Sequence, residues 1–285
     1  MFGHRGERER PAPEWSRQRM LALLVGAAVT AVVLVIGLVL AVVYALHPAR
    51  HTAQHGGGPN RGPTGSAPGG TTSASGNPSG DADARDALAG RPMPNLDLSA
   101  AQPGPVSTRD PGLPVVLPKP KRTGPAGVPT GFPHTPDGAI AQMAAIDQVA
   151  LQSGSLSGVR AVITEWAMPG GPTTSSWSGV AAMGQFLDAA GLSGGGSGQL
   201  AMVVTPLMGH IKGTVGPDFV VPCVDFEIDA TLTQTARVAI ADCERMVWNG
   251  NRWMVGPGKE PADPPAVWPD TDAAIQVGYR DLRHG

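Results

Sequence analysis

Cysteine is scarce in this chain of 285 residues, which contains only Cys223 and Cys243. A structural zinc site usually takes four ligands, and no other Cys or His lies near these two in the sequence. The scarcity therefore argues against a cysteine metal site and favours a bond between the two thiols.

Candidate catalytic side chains are also few. The part from residue 132 to 285 has only His134, His210 and His284, and two of these lie at its edges. His210 has the residue type of a general base, but no Ser or Cys in an activating context accompanies it. The glycine-rich run at 194–198 has no Lys after it, so it does not fit a phosphate loop. We predict that the protein is not an enzyme and that it has no catalytic residues and no cofactor. An unrecognised hydrolase is the least favoured alternative.

Basic residues are in the minority in the same part of the chain. Residues 132–285 hold eight Lys and Arg against fifteen Asp and Glu, a net charge of −7. Proteins that grip nucleic acid need a basic face. The sequence therefore argues against direct binding of DNA or RNA.

Charged residues are absent from residues 21–46, where Leu, Val, Ile and Ala dominate. A helix needs about 20 apolar residues to cross a bilayer, so we predict a transmembrane helix here. A cleaved signal peptide is the alternative. Arginines are concentrated before this segment, which places residues 1–20 in the cytoplasm and the rest outside. We therefore expect a single-pass protein of the cell membrane.

Residues 47–131 are rich in Gly, Pro, Ser and Thr, and they are predicted to form a disordered linker. A flexible coil of this length has a root-mean-square span of about 50 Å. The stretch from Pro111 to Lys121 is either part of this spacer or a short docking motif.

Residues 132–285 have the patterns of a folded domain. Thr135 and Pro136 are typical of a helix start, and apolar periodicity predicts three helices, ending near residues 153, 167 and 191. Strand patterns follow from Gln199, and a short helix is predicted near the end. Helices followed by strands predict an α+β fold in which helices cover one face of an antiparallel sheet.

The strand register of one hairpin can be predicted from the sequence. Residues 223–229 and 237–243 both alternate in polarity, and one antiparallel register pairs Phe226 with Ile240 and Cys223 with Cys243. This register predicts a disulfide, which an exported domain would keep. A second hairpin is predicted at Asn249-Gly250, with a type I′ turn.

The acidic residues of the first strand, Asp225, Glu227 and Asp229, are predicted to share one face. Alternate residues of a strand lie about 6.6 Å apart, too far for all three to hold one cation. We predict a solvated face with Arg237 as the cross-strand partner, and no metal site.

Several aromatic residues are predicted to meet where the helices contact the sheet: Trp166, Trp177, Phe226, Trp248 and Trp253. They form either part of the core or a groove for a peptide or small apolar ligand.

The motif at 135–139 and the hairpin at 247–255 resemble the nuclear transport factor 2-like (cystatin-like) fold. A domain with this order of elements, preceded by a single N-terminal membrane span, resembles the scaffold proteins of type IV secretion and conjugation machines. Residues 124–133 and 213–223 resemble membrane proteins of high-GC actinobacteria associated with integrative conjugative elements. The resemblance implies an extracytoplasmic protein-interaction scaffold in conjugative DNA transfer or envelope assembly, with other membrane or envelope proteins as partners. An extracytoplasmic binding module is the alternative. Neither reading indicates an oligomeric state.

Overall fold

The computed structural model describes residues 78–285. The predicted cytoplasmic tail, the predicted transmembrane helix and residues 47–77 of the predicted linker lie outside this range. Within residues 78–285, no helix has both the length and the apolar character that crossing a bilayer requires.

The fold is α+β, as the order of patterns predicted. A seven-stranded sheet has the strand order β1-β9-β4-β5-β7-β8, with β6 paired to β5, and a separate ribbon joins β2 to β3. Only the β1–β9 pair is parallel among these strand pairs. The helices are α1 (Pro78–Gly90), α2 (Pro136–Gln152), α3 (Leu156–Trp166), α4 (Ser178–Ala189) and α5 (Asp272–Gln276). The strands are β1 (Val115–Leu117), β2 (Arg122–Thr123), β3 (Pro129–Thr130), β4 (Ala201–Thr214), β5 (Phe219–Thr231), β6 (Thr235–Cys243), β7 (Met246–Trp248), β8 (Trp253–Val255) and β9 (Arg280–His284).

The three predicted helices are α2, α3 and α4. Helix α2 begins as its sequence indicates, because the Thr135 side chain accepts a hydrogen bond from the Gly138 N–H and Pro136 occupies the first turn. This helix packs against β4 and β5 and buries Ile140, Met143 and Ile146. It is therefore the main helical contribution to the core.

Strand β4 runs unbroken through Pro206. Its pairing with β5 shifts register between Pro206 and Met208 and again between Ile211 and Gly213. The first of these shifts lies beside Pro206, which cannot donate a hydrogen bond to the ladder.

The predicted register of β5 and β6 is confirmed. Phe226 pairs with Ile240, Asp229 pairs with Arg237, and Cys223 pairs with Cys243. Cys223 and Cys243 form a disulfide, with their Cα atoms 4.0 Å apart. Polarity alternation on both strands was therefore sufficient to fix the pairing.

The turn between β7 and β8 differs from the prediction. Trp248 pairs with Trp253, which leaves a four-residue loop from Asn249 to Arg252. Gly250 has a φ of +92°, whereas Asn249 is not among the residues with positive φ, so the type I′ prediction is wrong. The reason is the Asn249 side chain, whose Oδ1 accepts hydrogen bonds from the N–H groups of Asn251 and Arg252 at 3.0 and 2.9 Å.

The linker prediction is corrected for residues 78–131, which hold α1, β1, β2 and β3. Buried Ala89 and partly buried Leu88 pack with Phe219, Val221 and Val247. Composition alone did not predict that this segment is folded, because its few apolar residues lie among many Gly and Pro residues.

Helix α1 is also held by polar contacts. The Lys212 ammonium donates hydrogen bonds to the Ala89 and Arg91 carbonyls at 3.1 and 2.6 Å. The buried Arg245 guanidinium lies 2.8 Å from the Asp86 carboxylate. Met93 follows, with its sulfur 3.7 Å from the Cys223 sulfur. The folded domain therefore includes α1 and the chain just after it.

Candidate functional site

The aromatic residues predicted to form either part of the core or one groove are divided between two places. Trp248 and Trp253 meet edge to face with ring centres 5.5 Å apart, and Trp166 donates a hydrogen bond from its indole N–H to the Pro125 carbonyl. These three do not line the cavity that contains Trp177 and Phe226. The five side chains therefore do not line one common groove, and four of them, Trp166, Trp177, Phe226 and Trp253, are buried.

That cavity has a volume of about 170 Å³. It lies between α2, the start of α4, and strands β5 and β6, and a loop after β8 contributes Glu260 and Asp263. The lining is mostly apolar, but four of its residues are acidic, two are aromatic, and none of the described lining residues is basic. The lining residues are Asp147, Leu151, Trp177, Ser178, Gly179, Ala181, Phe226, Ile240, Ala241, Asp242, Glu260, Asp263 and Pro264.

Two of the lining acids, Asp147 and Asp242, lie close to Glu244, which is not a lining residue, and we name Asp147, Asp242 and Glu244 the carboxylate cluster. One oxygen from each residue lies within 4.8 Å of an oxygen from each of the others. Asp147 comes from α2, whereas Asp242 and Glu244 flank the disulfide residue Cys243 at the end of β6. The disulfide thus fixes the strand end that carries two of the three acids.

Asp147 is the most isolated of them. Its residue is only 3% exposed, and neither carboxylate oxygen has a hydrogen-bond partner among the described residues. Burial raises the pKa of Asp147 well above its ordinary value, and the charge of Asp242 raises it further. An uncompensated carboxylate at this depth is costly, so the site favours a proton or a cation beside it.

Asp242 lies at the boundary between the cluster and the open cavity. Its Oδ1 accepts a hydrogen bond from the Cys243 N–H at 2.9 Å. Burial raises the pKa of Asp242 to about 8, with a contribution from the charge of Glu260, while the Cys243 N–H opposes the rise. Burial therefore favours the protonated form of this carboxyl over the charged form.

Glu244 is held in place by a tryptophan. The Trp177 indole N–H donates a hydrogen bond of 2.7 Å to Glu244 Oε1, and the Glu244 residue is 2% exposed. Burial is the largest cause raising the pKa of Glu244, and the charges of Asp242 and Asp147 add to it. Trp177 therefore fixes the orientation of an acid that lies 67 residues further along the chain.

Glu260 has a structural contact at the rim of the cavity. Its Oε1 accepts a hydrogen bond from the Ser178 N–H at 2.9 Å, at the start of α4. A carboxylate at this position satisfies a free N–H group and interacts favourably with the helix dipole. The loop after β8 is thereby attached to α4 across the cavity entrance.

The predicted acidic face is correct for two of its three residues. Arg237 Nε lies 2.9 Å from both Glu227 Oε1 and Asp229 Oδ1. The prediction is wrong for Asp225, which is fully buried and accepts a hydrogen bond from the Val267 N–H at 3.3 Å. The loop that contains Val267 covers the middle of β5, and burial raises the pKa of Asp225.

The histidines lie away from the carboxylate cluster. His134 is stacked on Trp248 at 4.5 Å, and its Nε2 lies 2.8 Å from Asp218 Oδ1. His210 lines a different cavity with Tyr279, and burial lowers its pKa. His210 and the carboxylate cluster therefore do not line a common cavity.

Sequence reasoning missed the carboxylate cluster. One signal was available, since Asp147 interrupts the apolar stripe of α2 one residue after Ile146. A charged residue in an otherwise buried helix face often has a specific partner. The contact with Asp242 and Glu244 could not be read from the sequence, because almost 100 residues separate α2 from the end of β6.

In comparisons with known proteins, no protein-family model, curated protein or solved structure matches the chain.

Proposed function

We propose that this protein is a membrane-anchored, extracytoplasmic binding module whose cavity takes a positively charged ligand. The observation that carries the proposal is Asp147, a buried carboxylate without a hydrogen-bond partner among residues 78–285, which faces two more carboxylates. Protein interiors tolerate such a group only when a proton or a cation neutralises it.

The lining of the cavity includes much apolar surface, but its acidic residues favour a cation over a neutral apolar ligand. Trp177 and Phe226 offer aromatic surface, and aromatic faces also attract cations. Acidic residues line the same space without a basic neighbour among the described lining residues. The proposed module acts by binding, with no chemical step assigned to it.

The cellular setting of the proposal comes from the sequence. The uncharged segment at 21–46 is the proposed membrane anchor, and the arginines before it place the domain outside the cytoplasm. A disulfide between Cys223 and Cys243 fits that compartment, where such bonds persist.

A ligand screen tests the proposal on the full chain in detergent. We expect at least one of Ca²⁺, Mg²⁺, Mn²⁺, spermidine or N-acetyl-lysine methylamide to raise Tm by about 5 °C or more at saturating concentration, because only the folded state binds it. Asp147→Asn should abolish the shift, whereas Asp188→Asn, a change of the same kind on the exposed end of α4, should preserve it. If none of these cations moves Tm beyond a KCl control of equal ionic strength, the proposed function is wrong.

A second candidate is the protein-interaction scaffold of conjugative transfer or envelope assembly, with the nuclear transport factor 2-like fold as the finer description of this α+β domain. The exposed edge of the sheet supports it. Strand β1 lies at one end of the strand order, Val116 within it is 50% exposed, and Leu113 just before it is 80% exposed. An edge strand flanked by exposed apolar residues suits the addition of an extended segment from a partner protein.

Affinity purification of the tagged full chain from cross-linked membranes tests the scaffold. The wild type should retain specific envelope or transfer proteins, and Leu113→Asp with Val116→Asp should lose most of them. Val203→Asp is the matched control, because Val203 is 55% exposed on β4 and lies outside β1. Equal recovery with all of these variants would rule out the β1 edge as the docking site.

A further inference from the structure

The carboxylate cluster has the donor arrangement of a small cation site. Oxygen atoms that bind one Ca²⁺ ion lie 2.3–2.6 Å from it, so two such oxygens are separated by at most about 5 Å. One oxygen from each of Asp147, Asp242 and Glu244 meets this limit, since all three lie within 4.8 Å of one another.

Asp147 supplies independent evidence for a ligand. The residue is only 3% exposed, and both of its carboxylate oxygens lack a hydrogen-bond partner among the described residues. The other two acids each use one oxygen, Asp242 on the Cys243 N–H and Glu244 on the Trp177 N–H, which leaves each with a second carboxylate oxygen. Asp147 thus offers two free oxygens to the point where the three side chains converge.

The type of donor selects the type of cation. The cluster consists of carboxylate oxygens alone, and oxygen donors suit Ca²⁺, Mg²⁺ and Mn²⁺ better than the softer transition metals. The adjoining cavity of about 170 Å³ has room for the water molecules that would complete a coordination shell.

We infer that Asp147, Asp242 and Glu244 bind one hard divalent cation, of which Ca²⁺ is the type, with Trp177 as the positioning residue that orients Glu244. This inference rests on the proposed binding function and names the class of its ligand. Trp177 touches the acid rather than the ion. Extracellular calcium modules bind with dissociation constants of about 10⁻⁴ to 10⁻³ M, and we expect an affinity in that range.

Calorimetric titration of the full chain in detergent, after treatment with EDTA and its removal, tests the inference with CaCl₂, MgCl₂ and MnCl₂. The expected result is one ion per chain for at least one of the three. Asp147→Asn and Glu244→Gln should each weaken binding at least tenfold, while Asp188→Asn should leave it unchanged. Glu244→Gln keeps an oxygen for the Trp177 N–H, so its loss of affinity would report the charge rather than a collapsed site.

The outcomes separate this inference from the proposed function. If spermidine or the lysine derivative raises Tm but none of the metals binds, the metal site is refuted and the binding module stands. If neither metals nor amines bind, both proposals fall. Metal binding that survives in Asp147→Asn and Glu244→Gln would place the ion elsewhere and overturn the inference. Circular dichroism before titration establishes that each variant is folded, and Glu244→Gln alone decides if Asp147→Asn does not fold.

Discussion

Raising the pH from 4.5 to 8 in the presence of EDTA should lower the free energy of unfolding of this protein. Burial raises the pKa of Asp147, Asp242 and Glu244, that of Asp242 to about 8, whereas carboxyls in the unfolded chain titrate near pH 4. Between these values the folded state binds more protons than the unfolded state, so stability is greatest at low pH and is lost as the pH rises through the folded pKa values. The loss is about 1.4 kcal/mol per pH unit for each additional proton that the folded state binds.

Guanidinium unfolding at a series of pH values measures this slope. Asp147→Asn removes one of the facing acids, so it should stabilise the protein at pH 8 and flatten the profile. Asp188→Asn should reproduce the wild-type profile, because its carboxylate is exposed on α4. Stability that increases from pH 5 to pH 8, or an unchanged slope in Asp147→Asn, would contradict the burial of the carboxylate cluster and the lack of a hydrogen-bond partner for Asp147 among the described residues.

Loss of the disulfide is expected to destabilise the domain by about 3 kcal/mol. Cys223 and Cys243 are 20 residues apart, and closing a loop of about this length removes a corresponding amount of chain entropy from the unfolded state. For a domain of this size, the change corresponds to a decrease in Tm of about 6–12 °C. The double variant Cys223→Ala/Cys243→Ala, compared with oxidised wild type by guanidinium unfolding, measures the effect.

Reduced wild type serves as the control for this comparison, since it loses the bond but keeps both sulfur atoms in contact with Met93. Its stability should lie close to that of the double variant or slightly above it. Unfolding midpoints that do not change on reduction would show that the bond is not formed in the purified protein. Mass spectrometry without reductant would then detect free thiols.

Local sequence patterns predicted those parts of the fold that are determined locally. The β5–β6 register followed from alternation, because a slip of one residue would turn every apolar side chain of the hairpin to the wrong face. The start of α2 followed from Thr135 and Pro136 for a similarly local reason. In both cases the decisive interactions join residues that are close in the chain or directly opposite in one hairpin.

The missed features depend on contacts between distant segments. Asp225 has the pattern of an exposed position, yet the loop containing Val267 buries it. Helix α1 lies in a stretch whose composition is typical of linkers, but Lys212 and Arg245 attach it to the sheet. The carboxylate cluster combines α2 with the end of β6 in the same way. Neither the hydrophobic periodicity nor a motif of one segment indicates which distant segment it contacts.

The attachment of α1 has a mechanical consequence. A pulling force that enters the domain from the N-terminal side reaches α1 first and passes through Lys212 and Arg245 into β4 and the chain just beyond β6. The covalent link between Cys223 and Cys243 lies beside this path, so β5 and β6 cannot be drawn apart at that end. Tension on the domain would therefore detach α1 before it extended the hairpin, and the acids beside Cys243 would keep their spacing under load.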